Sequence, residues 1–371
     1  MYRAVPGRPP VHRVPLRRLV SGPPPAPDRV FYHNIWLRGP NSPQIEGLVP
    51  RLRRLDCYLT MVSNQWLLRA VEFRALMAAS HVRNQAVVGR AGRRYRSMLA
   101  HRSEQIAYFP GRIVAQLDDP AFSEREVALL NRPNVAVFVM TSDRAVERFR
   151  SMGVDKPSYV LPLGSEVESL SDAAVASVRT RHRRSPDEVV VGYIASTLRL
   201  DGDRHAEEPL HNVEHLLALW NEIRARAPKA RLWLIGAASE RLRARVAGRD
   251  DVLLLGTVPQ PEALPYVAAF DIALYPRAKD QGVRASKIAD HMGAGVPTVS
   301  YDYEVVGDLR ESGAGLLAKT PAEFVDAVVR LVDDEPERRR LAAVARRAGA
   351  ERDWRVLIPR FERDVLDVYL V

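Results

Sequence analysis

Two doubly wound α/β domains in one chain are what this sequence predicts, and three observations predict them. Short apolar runs of strand length alternate with helix-period segments along most of the chain. The alternation breaks once, over Ser165–Asp187, which carries RTRHRRS and no strand pattern. The chain has 371 residues, 46% of them hydrophobic, enough for two domains of ordinary size. The boundaries expected from these features are a basic, proline-rich, extended or disordered arm over 1–27, a first α/β domain over 28–170 and a basic linker over 171–187. A second α/β domain over 188–353 follows, with a terminal helix over 354–371.

Taken in order, Arg29–Trp36 reads as the first strand and runs into a loop rich in Gly, Pro and Asn. Ligands of open α/β sheets sit at strand C-termini, so His33 and Asn34 are candidate binding residues of the first domain. A lone histidine at a strand end is equally a structural residue. Ile45–Leu55 reads as a helix, Cys57–Val62 as a strand and Trp66–Ala79 as an amphipathic helix. The strongly basic Arg90–Glu104 reads as a solvated helix. Gly111–Leu117 is a strand that ends at Asp118-Asp119-Pro120. The helix Ser123–Leu130 has an acidic first turn, which suits the helix dipole. Asn134–Thr141 is a continuous apolar run of buried-parallel-strand type. Ser142 caps the next helix, Asp143–Met152, and Pro157–Leu163 is a further strand.

Beyond the linker, Glu188–Ala195, Arg231–Ile235, Val252–Leu255 and Asp271–Tyr275 read as strands, with helices Asn212–Ala227 and Glu262–Ala269 between them. Gly282–Asp302 then contains a loop, a helix, a tight turn and the strand Thr298–Tyr301. Ser286 is the N-cap candidate of that helix; Gly295 ends it and Pro297 follows. Lys287 and Asp290 stand three apart in its first turn, on one side. A helix N-terminus with a cation beside it is suited to an anion, here a diphosphate, with Asp290 taking sugar hydroxyls. An ordinary α/β crossover with a surface Lys–Asp pair explains the same residues, and on the residues alone both readings stand. The chain closes with strand Gly315–Leu317 and helices Pro321–Asp333, Pro336–Ala350 and Trp354–Leu370.

Composition narrows the function classes. The net charge of +10 is carried almost wholly by arginine, since only five lysines occur. Such a surface favours anionic partners: nucleotide phosphates or an acidic membrane face. A nucleic-acid partner is not expected, because neither zinc-finger spacing nor the aromatic-plus-basic strand of an RNA-recognition sheet is present. No apolar run reaches about 18 residues, and the N-terminus lacks the apolar core of a secretory signal. The single cysteine, Cys57, fits a reducing compartment, so a cytoplasmic protein, at most peripheral to the membrane, is expected. Neither a phosphate-binding GxxxxGK[ST] nor a G-x-G-x-x-G after a strand occurs, so no nicotinamide or other cofactor is expected. His211 and His215 have zinc-ligand spacing, but no third ligand accompanies them and no metal is expected.

In the second half, Gly256-Thr257-Val258 follows a strand, Tyr275-Pro276 ends another, and ASKIADHMGAGVPTVS follows. With these residues the chain resembles the GT-B glycosyltransferases, in particular the family-4-like enzymes, over about Val189–Val371. The resemblance implies two Rossmann-like domains facing an interdomain cleft, and transfer of a sugar from a nucleotide-sugar to an acceptor hydroxyl. It implies that Lys287 binds the donor diphosphate together with Arg199, that Gly282 and Val283 cradle the phosphates with backbone N–H groups, and that Asp290 holds the ribose. Val258 and Tyr275 would line the donor site, with Val258 against the base. Gly282 stands where the family carries a sugar-binding glutamate. Asp118 or Asp119 would orient the transferred sugar or the acceptor; a plain helix-capping role for Asp119 stands beside that. Two other activities remain open: a nucleotide-sugar epimerase of the same architecture, and a non-catalytic sugar-nucleotide or nucleic-acid binding module.

Overall fold

The computed structural model describes residues 12–15, 19, 21, 23–36, 47–61, 82, 85–117, 120–167, 170–201, 213–277 and 284–370. The chain divides into two compact units: Met1–Pro162 with Arg355–Val371, and Leu163–Trp354.

The first unit is built on seven parallel strands: β1 (His12–Arg13), β2 (Val30–Trp36), β3 (Leu55–Met61), β4 (Ser97–Ala100), β5 (Arg112–Gln116), β6 (Val135–Met140) and β7 (Ser158–Val160). Their order in the sheet is β1-β3-β2-β4-β5-β6-β7. The connecting helices include α1 (Ser103–Tyr108), α2 (Glu124–Leu130) and α3 (Asp143–Ser151). Ser123 begins α2 with a capping box: its hydroxyl accepts from the Glu126 N–H while Glu126 reaches back to the Ser123 N–H. Ser142 caps α3 in the expected place, accepting from the Ala145 N–H.

Two expectations fail here. Arg90–Glu104 is not a solvated helix: it holds the end of the helical residues 85–91 and then β4, whose four residues are all buried. The arginines that flank Ser97–Ala100 mask a run too short to show either period. The arm over 1–27 is not wholly disordered. His12–Arg13 pairs in parallel with Asp56–Cys57, and Val14 and Leu19 join the core. Within the expected helix Ile45–Leu55, Val49–Arg51 forms one 3-10 turn, with a proline at its start. The amphipathic segment Trp66–Ala79 lies outside the described residues.

The second unit carries β8 (Val189–Leu198), β9 (Ala230–Ala238), β10 (Val252–Gly256), β11 (Ile272–Tyr275), β12 (Thr298–Tyr301) and β13 (Gly315–Ala318). They form a parallel sheet in the order β10-β9-β8-β11-β12-β13. Its helices are α4 (Asp172–His182), α5 (Val213–Arg226), α6 (Glu240–Val246), α7 (Gln260–Ala268), α8 (Ser286–Gly293), α9 (Gly307–Ser312), α10 (Pro321–Asp333) and α11 (Glu335–Glu351). The segment 171–187 expected to be a linker is mostly α4, capped by Ser171. Its arginines tie it to this unit: Arg183 pairs with Asp271 at 2.5 Å, and Arg179 donates to the carbonyls of Ala268 and Ala269. The contact boundary accordingly lies at Leu163, eight residues before the expected start of the linker at 171.

The core of this unit is apolar and aromatic. Trp220 is fully buried, and its indole N–H meets the one polar partner it needs, Asp251, at 2.8 Å. Gly192 on β8 faces the Phe270 ring so closely that a Cβ would lie 2.2 Å from it. The last segment is helical from Trp354 to Phe361, passes through one π turn over Glu362–Leu366, and resumes over Asp367–Tyr369. Among the described residues no helix is long and apolar enough to cross a membrane.

Candidate functional site

A doubly wound sheet reverses its strand order at one place, and the strand ends on either side part to leave a crevice there. In the second sheet the reversal falls between β8 and β11, which are neighbours paired at Val191–Ile272 and Gly192–Ala273. Beyond that pairing each strand carries a tyrosine, Tyr193 on β8 and Tyr275 on β11, both buried. Each ring carries a cation. The Lys287 ammonium lies 5.2 Å from the centre of the Tyr193 ring, and the Arg277 guanidinium carbon 5.7 Å from that of Tyr275. Burial pushes the Tyr193 phenol up from its usual range and the Tyr275 phenol up to about 12, so neither ring supplies a negative charge at neutral pH.

Lys287 stands in the first turn of α8. The expected cap is displaced by one residue: Ser286 is the first helical residue and Ala285, in extended conformation, is the N-cap, with no side-chain cap. The orphan N–H groups of that turn are therefore not taken up by a capping side chain. Three contacts hold the helix. The Ala285 N–H donates to the Val305 carbonyl at 3.0 Å. Arg284 is buried among Glu304 at 3.6 Å, Asp308 at 3.8 Å and Glu311 at 2.5 Å. Its guanidinium occupies the space a side chain at Gly307 would fill. At the other end Gly295 takes the left-handed φ of +68° and donates to the Met292 carbonyl, ending the helix as the sequence indicates.

The charges in this turn are shifted toward neutrality. Burial, then the nearby Arg277 charge, lower Lys287 to about 7, against the pull of Asp290. Burial raises Asp290 to about 7; the hydrogen bond from the Ser165 hydroxyl opposes this, and Glu166 adds to it. That hydrogen bond, at 3.2 Å, is made to one carboxylate oxygen only. His291 is fully buried, shares a hydrogen bond with Thr298 at 3.1 Å, and is held neutral by burial, at about 3.

The other expected donor residues fall as follows. Arg199 directly follows β8 at the same end of the sheet and is half-buried. Val258 follows β10 and packs, half-buried, against the core cluster that includes Trp233, Ile235 and Leu264. Gly282 and Val283 lie outside the described residues, as does His211. His215 is hydrogen-bonded at 2.8 Å to the Tyr301 hydroxyl and stacks on that ring. Among the described residues no group of three or more His, Cys, Asp or Glu is placed to hold a metal.

In the first sheet the strand order reverses between β2 and β4. His33 on β2 is fully buried, and its carbonyl accepts from the Gln105 side chain at 2.8 Å. It is buried in the middle of β2, and of Asn34 only the backbone is described. Asp118 and Asp119 lie outside the described residues. Three residues not anticipated gather at this reversal. His101 follows β4, Gln105 caps the first turn of α1 by accepting from the His101 N–H at 3.0 Å, and Gln116 ends β5. Burial, then Arg102 and His33, lower His101 to about 3. The only signal these residues gave was their place at strand ends, and that signal is visible only once β4 is recognised as a strand. Arg277 was missed for a related reason, since its place beside Lys287 depends on which strands are neighbours.

Comparison with known proteins agrees with this geometry. Residues 203–334, within the second unit, match the family described as glycosyl transferases group 1. No curated protein matches the chain by sequence. Among solved structures the fold is similar to HepE from Anabaena in complex with UDP, with a TM-score of 0.68 and 16% identity over 91% of this chain and 100% of that one. It is similar to sucrose-phosphate synthase from Thermosynechococcus elongatus, with a TM-score of 0.60 and 15% identity over 77% and 79% of the two chains. It is similar as well to WaaG, a glycosyltransferase involved in lipopolysaccharide biosynthesis, with a TM-score of 0.52 and 13% identity over 72% and 82%. The chain thus has the two-domain α/β fold of the GT-B type, and its residues 203–334 match the group 1 glycosyl transferase family.

Proposed function

We propose that the chain transfers a sugar from a nucleoside-diphosphate sugar to an acceptor hydroxyl, with retention of configuration and without a metal ion. The observation that carries the proposal is Lys287 in the first turn of α8, at the reversal of the second sheet, with Asp290 one turn deeper on the same side. The donor's diphosphate would lie against the Lys287 ammonium and the uncapped N–H groups, and its ribose hydroxyls would donate to the free oxygen of Asp290. Breaking the bond from sugar to phosphate leaves charge on the diphosphate, and a fixed cation and helix dipole stabilise it most as it develops. In a retaining transfer of this kind the departing phosphate oxygen takes the acceptor's proton, so no dedicated carboxylate base is required. Arg199, Gly282, Val283, Val258 and Tyr275 complete the donor side in this proposal, and Asp118 or Asp119 the sugar side.

HepE has been captured with UDP-glucose, which makes a uridine-linked donor the first to test. A thermal-shift series with UDP, GDP and dTDP is the experiment. Stabilisation by one diphosphate well above the others is expected and identifies the base; no stabilisation by any would overturn the proposal. Incubating the donor without acceptor distinguishes an epimerase, which would return an altered nucleotide-sugar. The basic surface of the chain, with its net charge of +10, favours contact with an anionic membrane face, which flotation with phosphatidylserine vesicles tests.

A further inference from the structure

The donor end of the second sheet holds a cation that neither the sequence pattern nor the resemblance assigned. Arg277 comes two residues after Tyr275, the last residue of β11. Its side chain is half-buried, and its Nε is fully buried with no hydrogen-bond partner among the described residues. A buried donor of this kind costs free energy unless something accepts from it. The group it faces is not a carboxylate. It stands over the Tyr275 ring, while Lys287 stands over the Tyr193 ring one strand away. The two cations are near enough for Arg277 to depress Lys287. Two like charges brought together beside a helix N-terminus destabilise one another until an anion lies between them.

We propose that Arg277 is a further fixed cation of the donor site and binds the diphosphate together with Lys287. This rests on the nucleotide-sugar reading above and adds to it a residue at the end of β11. The arrangement has a chemical consequence. A guanidinium stays charged at any working pH and presents a planar fork to two phosphate oxygens, whereas Lys287 near 7 is only partly charged before the donor arrives. Arg277 would make the first contact with the dianion. The dianion in turn would offset the repulsion and let Lys287 take up its proton.

The test is titration of the full-length protein and of Arg277→Ala and Arg277→Lys with UDP and with UMP, alongside GDP and dTDP. Arg277→Ala is expected to weaken UDP by about tenfold or more, on the scale of a charge-assisted hydrogen bond, and to weaken UMP by much less. Arg277→Lys is expected to recover most of the loss, since it restores charge without the fork. Two outcomes would overturn the inference: UDP affinity unchanged in Arg277→Ala, or UDP and UMP weakened equally, which is the mark of a structural role. If Arg277→Ala fails to fold, Arg277→Lys and Arg277→Gln carry the same comparison, and a glutamine variant that binds UDP as the lysine variant does would overturn it. If the unaltered protein binds none of the diphosphates, it is the nucleotide-sugar reading that fails.

Discussion

Each sheet reverses its order once, and the two reversals are furnished differently. At β8 and β11 stand two tyrosines, each under a cation, with a carboxylate one helical turn away. At β2 and β4 stand two histidines, with Gln105 and Gln116 beside them and the Arg102 charge next to His101. Burial keeps His101 neutral at about 3, and its Nδ1 has no hydrogen-bond partner among the described residues; nor has the Gln116 Oε1. The chemistry follows from the difference. Fixed charge recognises an anion at a distance and tolerates variation in what surrounds it. Neutral donors and acceptors recognise hydroxyl groups only by contact, one hydrogen bond at a time. The diphosphate is accordingly proposed at the reversal between β8 and β11, and a hydroxyl-bearing ligand at that between β2 and β4.

Substitutions can break this contrast or sharpen it. The largest effect is expected at Lys287. Replacing it with alanine should lower turnover by about tenfold to a hundredfold, the scale of one donor that stabilises developing charge. Steady-state kinetics on a variant with an unchanged circular dichroism spectrum measures this, and unaltered turnover would remove Lys287 from the site. Next comes the support behind it. Gly349 on α11 lies against the backbone of α8, where a Cβ would come 2.4 Å from the Met292 carbonyl oxygen. Gly349→Val should cost about 2 kcal/mol of stability, as overpacking does, and should weaken UDP as α8 shifts. A melting temperature equal to that of the unaltered protein would show that the two helices do not depend on this contact.

The first reversal should respond in a different measurement. His101→Ala and Gln116→Ala should leave UDP affinity within about twofold, and lower kcat/KM for the acceptor by about fivefold, the worth of one neutral hydrogen bond. A loss confined to UDP would put the neutral residues on the wrong side of the contrast. The smallest effect lies outside both ends. Ser123→Ala removes the cap of α2 and should cost about 1 kcal/mol in denaturant unfolding, with kinetics unchanged.

The same contrast explains how much was legible in the sequence. Helix Pro321–Asp333 and strand Thr298–Tyr301 have the bounds expected of them, and α8 differs only in its cap. These segments carry a full helical period or a continuous apolar run, with glycine and proline as punctuation. Lys287 was legible because a single cation in the first turn of a helix is a local pattern. Arg277 was not, because its meaning depends on β8 lying beside β11 although some seventy residues separate them along the chain. β4 failed because four residues show no period, and the arginines around them imitate a solvated helix. With β4 went His101 and Gln105, which are read as a site only when the strand before them is known to end there. The segment 171–187 misled by composition alone: its arginines are anchors for the carbonyls of Ala268 and Ala269 and for Asp271, not the marks of a solvated linker.

Proton uptake on binding the diphosphate tests the account at its centre. Lys287 sits near 7 before the donor arrives, and a bound dianion favours its charged form, so binding above that value must draw in a proton and weaken as the pH rises further. The same dianion raises Asp290 too, but from near 7 that carboxyl is largely ionised at pH 8.5, and comparison with Lys287→Ala separates its share. Calorimetric titration at pH 8.5 in two buffers of different ionisation enthalpy counts the protons. Uptake approaching one proton per UDP is expected in the unaltered protein and almost none in Lys287→Ala. Tight binding of UDP with no proton uptake in the unaltered protein would contradict it.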